Sequence, residues 1–259
     1  MNCNMDKIEF LIHLRHLAEY SLTIQAIKSW KENVEILEIG CGVGYGTQFI
    51  SDTSTLTVGL DVSKEAFREI KNHNNIYWVL GNGILLPFRN ESFDVVISLQ
   101  MIEHIEKKNL VANLNEIKRV LRNKGCFVLT TPNRALRLLP FQKPWNPFHK
   151  HEYNAKELKK ILQKIFSHSY VKGIGATKDL REIEKKRVKQ SVFSAYIKQP
   201  LGRIRLSILP LPSRGKDERL LWKAFEETSK RYPKYSVGNY FLEEVQRDSL
   251  DLFGVGVKA

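Results

Sequence analysis

Hydrophobic positions along the chain follow two periods. Over residues 5–30, Ile8, Leu11, Ile12, Leu14, Leu17, Leu22, Ile24 and Ile27 recur three and four apart, which predicts an amphipathic helix. Short continuous apolar runs follow at 34–39, 56–60, 76–80, 93–99 and 126–131. They are rich in β-branched residues, and all but the fourth are followed directly by Gly, Asp or Pro, as fully buried strands are. Helical stretches fall between them: Thr47–Asp52, Ser63 or Lys64 to Lys71, and Lys107–Arg122. In the last, Leu110, Val111, Leu114, Ile117, Val120 and Leu121 share one face, and Asn123-Lys124-Gly125 supplies the stop. Strand and helix alternate five times, which predicts a doubly wound, mostly parallel α/β sheet covered on both faces.

The rhythm changes after Asn133. Pro140, Pro144 and Pro147 break any helix, while Phe141, Trp145, Phe148 and Tyr153 make the stretch too apolar for an idle linker. A helix at 155–166, a strand at 169–174 and a last strand at 251–257 bring the expected strand count to seven. The segment before the last strand reads as an insert, with a charged helix at Asp179–Tyr196, alternating charged and apolar residues over Arg203–Pro210, and a helix at Glu218–Lys230. The expected organisation is an N-terminal helical cap at 1–33, a core at 34–175, a basic, mainly helical insert at 176–247 and a closing strand of the core at 248–259.

Candidate chemistry gathers at the ends of the strands. Gly40, Gly42, Gly44 and Gly46 alternate where the first strand meets a helix, as needed where a backbone turns sharply and a ligand approaches it closely. Dinucleotide sites use G-x-G-x-x-G instead. Glu38, two residues before the first glycine, would repel a pyrophosphate but suit a cationic or amino-bearing ligand. Asp61 ends the second strand about 20 residues after the turn, where a carboxylate accepts from ribose hydroxyls. The other reading of Asp61 is a helix N-cap, a task Ser63 can take over.

Glu38-x-Gly40-x-Gly42-x-Gly44 resembles motif I of the class I S-adenosylmethionine-dependent methyltransferases. Three more stretches fall in order at suitable spacing: Asp61-Val62-Ser63; Gly81-Asn82-Gly83-Ile84 with Leu86-Pro87-Phe88; and Phe93-Asp94-Val95-Val96 followed by Glu103-His104-Ile105. The resemblance spans about residues 34–160 and the last strand. It implies a Rossmann-like fold, S-adenosylmethionine as cofactor, and a cofactor site made of Glu38, Gly40, Cys41, Gly42, Gly44, Asp61, Val62, Asn82, Gly83, Ile84, Leu99 and Gln100. Asn82 departs from the family's aspartate. Its amide oxygen still accepts from an adenine amino group but brings no charge.

Thr131-Pro132-Asn133 and Pro147-Phe148-His149-Lys150-His151-Glu152-Tyr153 resemble methyltransferases of quinone and surface-glycan biosynthesis, in which this loop caps the active site. His104, His149 and His151 are therefore the candidate catalytic residues, as a base for a hydroxyl acceptor or as histidines that only pack beside the cofactor. Two histidines one residue apart, without a further ligand, are a weak metal signal, and no metal is expected. His16 and Tyr20 on the first helix are weaker candidates for lining the cofactor. No N/D-P-P-Y/F follows the fourth strand, which argues against methylation of exocyclic amino groups on DNA bases.

The formal charge of +13 changes the picture of the partner. Residues 171–259 hold 19 Lys/Arg against 11 Asp/Glu, so an acidic partner is expected: a phosphorylated, lipid-linked or glycan acceptor, an anionic membrane surface, or RNA. The three cysteines, Cys3, Cys41 and Cys126, lack metal spacing, and no apolar run reaches about 18 residues. A reduced, cytoplasmic setting is expected. The expected activity is O-methylation of a small-molecule, lipid-linked or glycan acceptor. The alternatives are an RNA-modifying enzyme and an inactive cofactor-binding scaffold, with a nicotinamide dehydrogenase least in keeping with Glu38.

Overall fold

The computed structural model describes residues 5–67, 74–139, 141–193 and 218–259. In chain order these form α1 (Lys7–Trp30), β1 (Val34–Ile39), α2 (Tyr45–Ser51), β2 (Ser54–Asp61), β3 (Ile76–Leu80), β4 (Phe93–Leu99), α3 (Lys107–Val120), β5 (Leu121–Pro132), α4 (Arg134–Arg137), α5 (Ala155–Ile165), β6 (His168–Ala176), α6 (Lys178–Phe193), α7 (Glu218–Arg231), β7 (Tyr240–Glu243) and β8 (Asp251–Val257). The strand order is β3-β2-β1-β4-β5-β8-β6-β7. The first five strands pair in parallel and the last three antiparallel, so the sheet is the mostly parallel, doubly wound kind expected. It has eight strands among the described residues rather than seven. The additional one, β7, is four residues long and pairs with β6 alone, too short to leave a periodic trace in the sequence.

Alternation along the buried strands sorts side chains to two faces. Leu37, Ile39, Val96, Phe127 and Leu129 face α3 and α5, where Leu110, Leu114, Ile117, Leu158 and Leu162 meet them. Ile36, Val95, Ile97, Cys126 and Val128 face the other way, onto Tyr20, Leu22 and Ile27 of α1 and Ile50 of α2. The N-terminal half of α1 has a second neighbour. Phe10, Leu11, Leu14 and Ala18 pack with Leu180 of α6, Ala224 of α7, Tyr235 and Tyr240. A helix sandwiched in this way buries more than one stripe. Arg15, Glu19 and Thr23 are buried, while the expected Ile8, Ile12 and Ile24 are only partly so.

Two boundaries moved. Helix α3 ends at Val120, two residues before the expected stop, because Leu121 turns extended and starts β5. After Ser63 a 3-10 turn covers Lys64–Phe67, and the rest of that expected helix lies outside the described residues. So do Cys3, the end of the expected helix beyond Phe193, and the Arg203–Pro210 alternation with Ile204, Leu206 and Leu209. The side chains of Leu221 and Trp222 are likewise not described. No helix among the described residues is long and apolar enough to cross a membrane.

One carboxylate ties the N-terminal ends of the parallel strands together. Asp94 on β4 accepts from Lys31 Nζ at 2.7 Å, from the Glu35 amide at 3.0 Å and from Arg122 Nη1 at 2.9 Å. Burial alone would raise its pKa, but these donors outweigh it and hold Asp94 below the ordinary carboxylate range. A carboxyl depressed on folding stabilises the fold above its unfolded pKa, and that stability is lost as pH falls through the folded one. Asp94→Asn is expected to cost about 1–3 kcal/mol at pH 7. Urea unfolding of both proteins from pH 7 to pH 3 should show that gap shrinking below about pH 4. A gap that stays constant with pH would show that the charge of Asp94 carries none of the effect.

Candidate functional site

The glycine loop is built by backbone geometry. Gly40, Gly42 and Gly44 have φ of +81°, +53° and +84°, a region that side chains with a Cβ rarely occupy. The Gly40 and Cys41 amides both donate to the Leu60 carbonyl, at 2.8 and 3.2 Å, laying the loop over the end of β2. A Cβ on Gly40 would sit 2.8 Å from Met101 Cγ, so the loop also abuts the segment after β4. Gly46 serves a different purpose. It lies in α2, and a Cβ there would fall 1.9 Å from the Tyr20 ring, which occupies that space.

Above the carboxyl ends of β1, β2 and β4 opens a cavity of about 370 Å³. Its wall includes Gly40, Asp61, Val62, Asn82, Gly83, Ile84 and His104 from among the expected residues. Sequence reasoning had not singled out Ile39, Leu60, Met101, Ile105, Glu106, Asn109, Asn113 or Lys150, which complete it. Asn109 and Asn113 left a trace: two polar residues four apart on α3, close to its apolar stripe. Asn113 is buried and donates to the Gly83 carbonyl at 2.7 Å, fixing the turn after β3. Asp61 accepts from the Gly42 amide at 3.0 Å and from the Ser63 amide at 2.8 Å. The bond from the Ser63 amide is an Asx turn, and the Ser63 hydroxyl donates to Glu65. A carboxylate has about four lone-pair positions, so Asp61 retains acceptor capacity toward the cavity. Asn82 Oδ1 accepts from the Ile84 amide at 3.0 Å, an Asx turn that shapes the same rim.

Several expected cofactor residues stand elsewhere. Glu38 does not reach into the mouth of the cavity. It is 1% exposed on the α1 face of the sheet, accepting from Tyr20 Oη and Thr47 Oγ1 at 2.5 Å each, and burial raises its pKa. Cys41 and Leu99 are buried and, with Gly42 and Gly44, absent from the cavity wall; burial also pushes the Cys41 thiol up, away from reactivity. Gln100, with φ of +52°, turns its amide toward Glu19 (3.1 Å), Thr130 and Asp251 (3.4 Å each) on the far side of the sheet. Burial raises the pKa of both Glu19 and Asp251, and an amide donor suits such a site. His16 lies outside the cavity wall too.

The three histidines separate in the same way. His104 lines the cavity and bonds through Nδ1 to the Phe148 carbonyl at 3.1 Å; burial and nearby His149 push its pKa down to about 4. His149 stands edge-on to it, ring centroids 4.9 Å apart, with Nδ1 2.7 Å from Glu152 Oε1. Burial works against the charge on Glu152, but Arg137 at 3.2 Å and His149 hold its pKa below the ordinary range. His151 is not part of this group: its Nε2 lies 2.8 Å from Glu157 on α5, pinning the loop to that helix. Glu103, beside His104, is buried with its pKa pushed up to about 8, and accepts from Thr131 Oγ1 at 2.9 Å.

The family described as "Methyltransferase domain" matches residues 37–129, the stretch that supplies most of the cavity wall. A "Probable S-adenosylmethionine-dependent methyltransferase" of Mycolicibacterium smegmatis is 36% identical over 130 residues, half of each chain. A ubiquinone biosynthesis O-methyltransferase of Bartonella tribocorum is 27% identical over 149 residues, covering 51% of this chain and 60% of that one. The chain thus spans about half the length of the first curated relatives it matches. A solved S-adenosylmethionine-dependent methyltransferase from Archaeoglobus fulgidus superposes with a TM-score of 0.55 over 94% of each chain; at 16% identity this shows the shared fold. Over residues 37–129 the chain is therefore similar to the methyltransferase domain family, and over about half its length to proteins named as S-adenosylmethionine-dependent methyltransferases.

Proposed function

We propose that this protein transfers the methyl group of S-adenosylmethionine to a hydroxyl oxygen of a small-molecule, lipid-linked or glycan acceptor. The observation that carries the reading is the cavity. Its volume falls in the range of small-molecule sites. A carboxylate stands at one end, apolar Val62 and Ile84 flank it, and the His104 imidazole stands in the wall after β4. These groups fit the cofactor: Asp61 accepts from ribose hydroxyls, and Val62 and Ile84 offer apolar surface to an adenine. When bound, S-adenosylmethionine supplies a sulfonium methyl already activated for displacement.

The chain's own contribution is alignment, exclusion of water and handling of the acceptor's proton. Ile39, Met101 and Ile105 make the wall apolar, which favours a reaction that neutralises charge. His104 gives its Nδ1 proton to the Phe148 carbonyl, so Nε2 carries the lone pair that an acceptor hydroxyl requires. The partial likeness to a ubiquinone O-methyltransferase supports oxygen as the atom methylated. Buried free thiols at Cys41 and Cys126 are in keeping with a reducing, cytoplasmic setting.

RNA as acceptor is the weaker reading. Much of the positive charge described in the last third is neutralised internally: Arg181 pairs with Glu243 and Asp248, Lys185 with Glu182 and Asp248, and Arg187 with Glu184. A steep fall in binding of a short RNA with added salt would favour it nonetheless.

Calorimetric titration should show micromolar binding of S-adenosylmethionine and none of NAD. Asp61→Ala is expected to weaken that binding about tenfold or more, the effect of losing one charged hydrogen-bond partner. No binding of S-adenosylmethionine would end the reading. Tyr20→Phe tests the support beneath the glycine loop. It removes one of two hydroxyl donors from buried Glu38, at an expected cost of about 1–3 kcal/mol in urea unfolding. With a methyl-labelled cofactor and a panel of phenolic and sugar acceptors, His104→Ala should lose about 10²–10⁴ in kcat while its cofactor binding stays near normal. Label transfer unaffected by that change would remove His104 from the chemistry. An absence of turnover on any acceptor, with binding intact, would favour the scaffold.

A further inference from the structure

His104 in the cavity wall and two side chains behind it, Glu103 and His149, converge in a way that base catalysis does not account for. Glu103, His104 and His149 each offer one ligand atom, and these atoms lie within 4.8 Å of one another. Each is already oriented by a second group. His104 Nδ1 bonds to the Phe148 carbonyl and His149 Nδ1 to the Glu152 carboxylate, which Arg137 holds in turn. With Nδ1 engaged, Nε2 of each ring carries the remaining lone pair. Glu103 accepts from Thr131 Oγ1, and its backbone carbonyl receives the Lys150 and His151 amides at 2.7 and 3.2 Å. Those two bonds fasten the 147–153 loop to the segment after β4, so His149 is held beside Glu103 and His104 by the backbone itself.

We propose that Glu103, His104 and His149 bind a divalent transition-metal ion that holds the oxygen of the acceptor; this rests on the methyltransferase reading given above. Two imidazoles and one carboxylate suit zinc, manganese or iron and leave coordination positions open for an oxygen reaching the cluster past His104, the one of the three that lines the cavity. Carbonyl-fixed and carboxylate-fixed imidazoles are the outer-shell arrangement that metal-binding histidines use. Ligands about 2.1 Å from an ion stand roughly 3–3.5 Å apart, so the cluster closes by about 1–2 Å, which side-chain torsions supply. Coordination lowers the pKa of a bound hydroxyl. The O–H bond then breaks with its proton passing to water, and the oxygen is left as the anion that attacks the methyl carbon. A bond forms from oxygen to carbon as the carbon–sulfur bond breaks, leaving a neutral thioether. In this arrangement the Nε2 lone pair of His104, which takes the acceptor's proton directly where no ion is bound, coordinates the ion instead.

The spacing of His149 and His151 was a weak metal signal, and in this proposal the pair is not the site. His151 is occupied by Glu157, and the other ligands come from Glu103-His104, 45 residues earlier in the chain for His104 and His149.

The test is titration of the cofactor-free, metal-stripped protein with Zn²⁺, and separately with Co²⁺, whose visible spectrum reports nitrogen and oxygen ligation. One equivalent should bind with a micromolar or tighter constant. Affinity should fall at least tenfold in both His149→Ala and Glu103→Gln and be unchanged in His151→Ala. S-Adenosylmethionine titrations of the same proteins serve as the control for folding. If His149→Ala binds the cofactor normally and Zn²⁺ as tightly as the unaltered chain does, the metal proposal falls while the methyltransferase reading stands. Absence of a one-equivalent site in the unaltered chain overturns it as well. If the cofactor fails to bind the unaltered chain, the methyltransferase reading itself has failed.

Discussion

A carboxylate removed from water must find donors, and the placement of Glu38 shows how far that requirement organises this protein. Strand β1 alternates its side chains between two faces, so Ile39 on the α3 side obliges Glu38 to face α1. There Tyr20 and Thr47 supply two short hydrogen bonds, one from the N-terminal helix and one from the helix after the glycine loop. The Tyr20 ring in turn needs the space left by Gly46. The loop is thus gripped from beneath, and its upper side is left to the cavity. Glu38 contributes by fixing the loop and not by touching what lies above it.

Further along, the same α1-facing side of the sheet repeats this logic with charge. Arg15, Glu19, Gln100, Thr130 and Asp251 meet in the interior, bridging α1, the segment after β4, β5 and β8. Two carboxyls of raised pKa facing one guanidinium cannot both be ionised without cost. Arg15 answers this charge between Asp251, at 3.3 Å, and Glu184 on α6, at 3.0 Å. This explains why α1 departs from a single apolar stripe, being clamped between the sheet and the insert by polar contacts as well as apolar ones.

Elements with their own periodicity were legible in the sequence: β1, β3, β4, β8, α3 and α5 came close to their expected bounds. That Gly40, Asp61, Asn82 and His104 stand together at the strand ends, around the cavity, was legible because turn chemistry and strand ends restrict what can stand there. The remainder depends on contacts between segments distant in the chain. Nothing local says that Gln100 turns its back on the cavity, because its partners are Glu19 and Asp251. Nothing local separates His149 from His151 either, two residues apart in one loop. One meets Glu152 and His104 and the other meets Glu157, according to how the backbone is latched at Glu103.

That latch also bears on why the loop at 147–153 belongs to the site at all. Its apolar residues do not simply pack away: Phe148 is half exposed, while Tyr153 is fully buried against the core and Glu152 is held by Arg137, whose guanidinium lies 4.4 Å over the Trp145 ring. One end of the loop is therefore immobilised by core packing and the middle by backbone bonds to Glu103. Ahead of Tyr153 runs a short arc carrying Phe148, His149 and Lys150, of which Lys150 reaches the cavity wall.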